Sequence, residues 1–280
     1  MIAAAALPRL LVLAVERNDV LTRYVEKSDT FATTLVESGT FGFLPDVPSA
    51  YTQPLYAWFL AALYWPLERS WVVVGLAQTA VAVATAVVVL LIGRRLSSVR
   101  TGVIAALVAT LHPYLVWHDV HVNREILDGL LLALIVLFAL TAYERASAAY
   151  AVATGAVAGL AILSNARLLL LPLVLGPYVA WRAVGRRALL TVLVIAAAAV
   201  VVAPWVVRNQ VVTVAQPITT WFRTSHGATT AAAAAMTSTV SRVRRPSARQ
   251  ATYGPSTSGS SSRRALERIA RPATAPVAIA

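Results

Sequence analysis

The sequence has no cysteine, so disulfide scaffolds and thiolate metal sites are excluded, and the redox compartment leaves no mark on it. Charge is scarce as well: only 13% of the 280 residues are Asp, Glu, Lys or Arg, where soluble domains carry about a quarter. Lysine is nearly absent, with Lys27 alone among 24 basic residues, and with the alanine load this bias points to a GC-rich gene. What remains is apolar. Hydrophobic residues make up 58% of the chain and the mean hydropathy is +0.70. One soluble core cannot hide that much apolar surface, so the solvent for most of it is a lipid bilayer.

The net charge of +12 invites a nucleic-acid reading, but the arginines stand in short clusters between apolar runs, where they act as topology signals. No nucleic-acid partner is expected. A cleaved leader is not expected either: the opening run Ile2 to Val15 has no basic segment before it and is interrupted by Pro8 and Arg9.

A helix needs about 20 apolar residues to cross the hydrocarbon. Trp71 to Gly93 meets this with no charge inside it, and further spans are expected at Thr101 to Trp117, Ile126 to Tyr143, Ala146 to Ala166, Leu168 to Trp181 and Ala188 to Val207. With the short first run this makes about seven spans, an all-α polytopic bundle in the cell (inner) membrane. The stretch "PLYAWFLAALYWPL", Pro54 to Leu67, is too short to cross and rich in aromatics, so it reads as a helix lying at the headgroup boundary.

Sidedness follows from the arginines. The loops Arg94 to Arg100, Glu144 to Arg145 and Arg182 to Arg187 carry the basic excess and are expected in the cytoplasm. The opposite side then receives most of the acids. Two places there are dense in ionisable groups. "VEKSDTFATTLVESGTFGF" (Val25 to Phe43) holds Glu26, Asp29 and Glu37, and "WHDVHVNREILDGLL" (Trp117 to Leu131) holds His118, Asp119, His121, Arg124, Glu125 and Asp128. Glu125 and Asp128 would open a helix, where its dipole favours negative charge. Asp119 and Glu37, taken singly, read as ordinary loop acids. The two histidines with nearby acids leave room for a divalent metal, although their spacing fits no strong ligand pattern. Arg167 and Arg208 stand at the outer ends of later spans, each either a helix anchor or a phosphate ligand. Acids and arginines on one face suit a general base and a phosphate clamp for transfer from a phosphorylated lipid.

The ordered series formed by the acid after the first span, "QPLYAWFLAALY", "LHPYLVWHDVHVNREILDGLLL", "GLAILSNARLLLLP" and "APWVVRNQ" resembles the membrane half of GT-C glycosyltransferases. The resemblance is to the dolichyl-phosphate-mannose protein mannosyltransferase-like group that includes lipid A aminoarabinose transferases, and it covers about residues 1 to 227. It implies a sugar transferase in the bilayer that uses a polyprenyl-phosphate-linked donor on the outer face, requires no cofactor, and passes the sugar to a protein, lipid or glycan acceptor whose identity stays open. The family's first-loop acid matches Asp29, implying a base for the acceptor hydroxyl or a group that positions it. Its second-loop acid matches Glu125, with Arg124 before it and His121 close by as substrate-binding residues. Its two arginine elements match Arg167 and Arg208, implying contacts with the polyprenyl phosphate. Glu26 and Glu37 are left as solvated loop charges. The group often has two adjacent acids in the first loop, whereas Thr30 follows Asp29 here.

From Ala228 the composition turns to Ala, Ser, Thr, Arg and Pro, which cannot bury a core. The expected division is a transmembrane domain over residues 1–224 and a disordered tail over 225–280, the latter composed like a GC-rich gene read in the wrong frame. Two other readings remain open: an inactive fragment of such an enzyme, and a polytopic transporter.

Overall fold

The computed structural model describes residues 1–215, and the tail expected from residue 225 onward lies outside them. Those residues form an all-α bundle: α1 (Ile2–Glu16), a 3-10 turn (Arg17–Leu21), α2 (Lys27–Ser38), α3 (Pro54–Leu67), α4 (Trp71–Leu96), α5 (Val99–Leu111), α6 (Pro113–His118), α7 (Glu125–Arg145), α8 (Ala148–Ser164), a 3-10 turn (Ala166–Leu168), α9 (Leu171–Ala180) and α10 (Arg187–Ala215). Three helices, over Trp71–Leu96, Glu125–Arg145 and Arg187–Thr213, are long and apolar enough to cross a membrane. Val99–Leu111, Ala148–Ser164 and Leu171–Ala180 are shorter apolar helices. Leu11, Val108 and Val200 are among many large apolar side chains that point outward, at 68%, 71% and 72% exposure, which suits an apolar solvent around the bundle.

Small residues set the helix spacing, as expected where lipid offers no hydrophobic drive and close packing must supply the attraction. Gly155 and Gly159 of α8 lie against α10, and a Cβ on Gly155 would stand 2.1 Å from the carbonyl oxygen of Val194. Ala139 and Ala142 of α7, Ala151 of α8, Val179 and Ala180 of α9, and Leu190 and Val194 of α10 form one buried cluster.

The short aromatic helix has the bounds that its flanking prolines suggest. Tyr56, Leu60, Ala61 and Tyr64 of α3 bury against Ala32 of α2 and against Val74 and Ala82 of α4, while Trp65 is 83% exposed.

One segment keeps its helix through a break in its apolar run, and one differs from its sequence reading. Pro8 and Arg9 do not interrupt α1, which runs through both. Pro8 lies beyond the first turn, so its missing N–H leaves the Ala4 carbonyl without its usual helical donor, and α1 continues through it. Arg9 is buried because it has a counter-charge, described below. The expected span Thr101 to Trp117 is divided: α5 stops at Leu111, His112 is extended (φ −61°, ψ 122°), and α6 starts at Pro113. Steric conflict with a following proline ring keeps a residue out of the helical region, and that accounts for the break.

Candidate active site

The first loop and the start of α7 are laced together through Glu26. Its backbone is extended (φ −73°, ψ 151°) at the N-cap of α2, which leaves its side chain free to reach away from its own helix. Oε2 accepts the backbone N–H of Arg124 at 2.9 Å, and the Glu26 N–H donates to the Val122 carbonyl at 3.2 Å. The Arg124 Nε lies 3.7 Å from Oε1, and its Nη1 donates to Gln53 Oε1 at 3.2 Å. Glu26 is therefore not the solvated loop charge that its sequence suggested. Burial pushes its carboxyl above the ordinary value, the Arg124 N–H and charge pull it down, and Asp128 and Glu125 push it up again. The net direction is upward.

Asp29 sits in the first turn of α2 and is 7% exposed. Tyr64 donates its hydroxyl to Oδ1 at 2.6 Å. Arg69 closes on the same carboxylate with Nε 3.1 Å from Oδ1 and Nη2 2.7 Å from Oδ2, and also donates to the Leu21 carbonyl at 3.0 Å. Burial and the Asp29 charge push the Tyr64 phenol upward, and the hydrogen bond to Asp29 raises Arg69. Neither Tyr64 nor Arg69 was singled out from sequence as a functional residue. The available signal was a lone arginine just past the aromatic helix, within reach of the acid after the first span.

Behind these loops lies Gln78 of α4, fully buried in a helix that is mostly apolar. Its Oε1 accepts the Tyr56 hydroxyl at 2.6 Å, and its Nε2 donates to the carbonyls of Asp119 and His121 at 2.8 and 2.9 Å. Arg9 donates to Asp119 Oδ2 through Nη2 (2.5 Å) and Nε (3.0 Å), and to the Ala5 carbonyl through Nη1 at 2.7 Å. These bonds fix residues 119–121, and with them the approach to Arg124 and Glu125.

The residues expected from sequence fall into three groups. Glu125 and Arg124 share the neighbourhood of Glu26; Glu125 is exposed and lies 4.0 Å from His118 Nδ1, and Asn123 Oδ1 accepts its backbone N–H at 3.0 Å. Asp128, one turn on, bonds Ser164 and accepts from Asn165 Nδ2 at 3.2 Å, joining α7 to the end of α8. His121 is instead inside the protein at 1% exposure, its Nδ1 2.9 Å from the Trp117 carbonyl and its Nε2 without a hydrogen-bond partner, 3.9 Å from Glu16 Oε2. That burial keeps it from touching a lipid-borne substrate in this conformation.

Arg208 is also engaged. Nη1 donates to the Ser49 carbonyl at 2.6 Å and Nη2 to the Phe41 carbonyl at 3.0 Å, with the guanidinium 4.8 Å from the centre of the Trp205 ring. Arg167 is exposed, and its side chain makes no ion pair or hydrogen bond among the described residues. An apolar groove of about 560 Å³, lined by Leu169, Leu170 and Leu173 on one side and Val202, Val206 and Val207 on the other, runs beside the sequence positions of both arginines. Among the described residues no three His, Asp or Glu side chains converge as metal ligands.

A family model described as dolichyl-phosphate-mannose-protein mannosyltransferase matches residues 46–208. No curated protein and no solved structure matches the chain. The matched stretch begins after Glu26 and Asp29. It contains Tyr64, Arg69 and Arg124, the partners on which the first-loop acids close, together with Gln78, Glu125, Arg167 and Arg208. The chain belongs to the dolichyl-phosphate-mannose-protein mannosyltransferase family, whose members are membrane glycosyltransferases of the GT-C type.

Proposed function

We propose that this protein transfers a sugar from a polyprenyl phosphate to a hydroxyl of a protein, lipid or glycan acceptor, at the outer face of the cell (inner) membrane that it crosses several times. The observation that carries the reading is the lacing of the two loops: the Glu26 carboxylate on the Arg124 N–H. It gathers Glu26, Arg124 and Glu125 at one place, with Asp29 one turn further along α2. In the transfer, the acceptor oxygen forms a bond to the sugar's anomeric carbon. The bond from that carbon to the phosphate oxygen breaks, polyprenyl phosphate leaves with the electron pair, and the acceptor's proton passes to a first-loop carboxylate.

The two carboxylates are suited to different parts of this step. Both oxygens of Asp29 already accept hydrogen bonds, which favours holding the acceptor in line over taking its proton. Glu26, pushed up by burial, is a stronger proton acceptor than an ordinary carboxylate, and general bases work best with a pKa near the operating pH. Arg124 stands beside them as a phosphate contact. Arg167 is free to hold the departing phosphate, and the apolar groove beside it suits a prenyl chain. The transfer draws on no cofactor.

The test is transfer in vesicles. The full chain, reconstituted and supplied from one side with labelled sugar on polyprenyl phosphate and with peptide, lipid and glycan hydroxyl acceptors, should release polyprenyl phosphate faster than protein-free vesicles. Release at the protein-free rate from every hexose and pentose donor tried would overturn the reading.

A further inference from the structure

At the end of the bundle away from the acidic loops, the chain turns from α9 into α10 through Trp181–Arg186, "WRAVGR", with Gly185 at φ +78° making the reversal. A cavity of about 370 Å³ opens there between the two helices, lined by Pro177, Ala180, Trp181, Arg187 and Thr191. Its walls are apolar and its rim is cationic. Trp181 and Val184 are 71% and 83% exposed, an arrangement that water alone does not favour and that a headgroup boundary does. Arg182 is occupied, its guanidinium 5.2 Å from the centre of the Tyr143 ring. Arg186 and Arg187 have no side-chain hydrogen bond or ion pair among the described residues. The acid on this side, Glu144, is already bound to Arg95 at 2.7 Å.

An apolar cleft between membrane helices with uncompensated arginine at its mouth is complementary to one kind of molecule, a phospholipid with a negatively charged headgroup. We propose that this cavity binds an anionic phospholipid of the cytoplasmic leaflet, the phosphate on Arg187 with Arg186 beside it, and an acyl chain against Trp181 and the facing sides of α9 and α10. Basic pockets between helices on the cytoplasmic side are suited to such headgroups, and each arginine near the surface contributes about 1 kcal/mol, or a factor of roughly five in affinity. The proposal rests on the sidedness set by the arginine loops and is independent of the transferase chemistry, so it stands or falls without a turnover assay.

The probe is cardiolipin, present as a minor component in phosphatidylcholine vesicles that hold the full chain. After mild extraction, native mass spectrometry counts the phospholipid kept by each chain. Wild type should retain cardiolipin in preference to phosphatidylcholine. Arg187→Gln should lower that retention by about fivefold. Trp181→Ala, which opens the apolar wall with no change of charge, should lower it too. Arg100→Gln makes the same charge change on the same face outside the cavity and should leave retention as it was. Equal loss from Arg100→Gln and Arg187→Gln would mean diffuse charge attraction and no site. Retention of phosphatidylcholine equal to that of cardiolipin, or full retention by both cavity variants, would each overturn the proposal.

Discussion

Replacing Arg9 with methionine keeps an unbranched stem and a good helix former in α1 but strips Asp119 of its partner. The two side chains are 1% and 13% exposed, so the carboxylate left behind cannot turn fully to water. Breaking such a pair by removing one member costs about 3–5 kcal/mol. The carboxyl has one escape, which is to take a proton, and that sets a ceiling. From its ordinary value of 3.8, neutralising Asp119 at pH 7 costs about 4.4 kcal/mol, and at pH 5 only about 1.6 kcal/mol, at 1.36 kcal/mol per unit. The sign follows from the same burial. Desolvation already pushes Asp119 upward and Arg9 opposes it, so without Arg9 the folded-state value rises further above the unfolded one. Stability is then present below the unfolded value and lost as pH climbs through the folded one. Arg9→Met should therefore cost up to about 4 kcal/mol at pH 7 and about 2–3 kcal/mol less at pH 5. Adding Asp119→Asn should recover most of the loss at pH 7, because an amide needs no counter-charge. Unfolding in mixed micelles at the two pH values measures all three. An equal cost at both pH values, or a double variant worse than the single one, would refute the buried-pair account.

Glu26→Gln keeps an oxygen for the Arg124 N–H and should cut turnover by roughly 10²-fold or more through loss of the proton acceptor; Asp29→Asn should also fall by about that factor, while Glu37→Gln, exposed on α2, should not change the labelled-sugar assay. Reporter fusions at Ser98 and at Glu125 should answer from opposite sides of the membrane, and the same side from both would remove the outer-face assignment. Gly155→Ala, forced into the Val194 carbonyl, should destabilise the bundle by about 1–3 kcal/mol. Gly129→Ala, with open space around it in α7, should instead stabilise it by about 0.5–1 kcal/mol in the same unfolding titration.

What could be read from the chain, and what could not, divides along distance in sequence. The bounds of α3 are set by local chemistry, a proline at N1 and another near its end, and the helical membrane bundle follows from composition and run length. The break at His112 was also local, in the His-Pro pair, but the apolar run on both sides hid it. Glu26 read as solvated because nothing near it says otherwise; its partner lies 98 residues away. Arg9 read as an interruption because an arginine in an apolar run is costly until its carboxylate is known, and Asp119 is 110 residues on. Asp29 could be picked as a candidate acid from its place after the first span. That Tyr64 and Arg69 would close on it could not, since the pairing depends on how α3 lies across α2.

The two bonds from Arg208 give α10 a hold on the far side of the first loop. Phe41 and Ser49 are already joined to each other, the Ser49 N–H donating to the Phe41 carbonyl at 2.9 Å, and the guanidinium grips both carbonyls at once. The segment is hung, as a hinge pin hangs a door, from the helix that the protein covers least: 17% of its apolar window is buried, against 39% for the other two long helices. Through Arg208 the return of the segment that carries Asp29 is thus fastened to a helix whose own surroundings are mostly lipid.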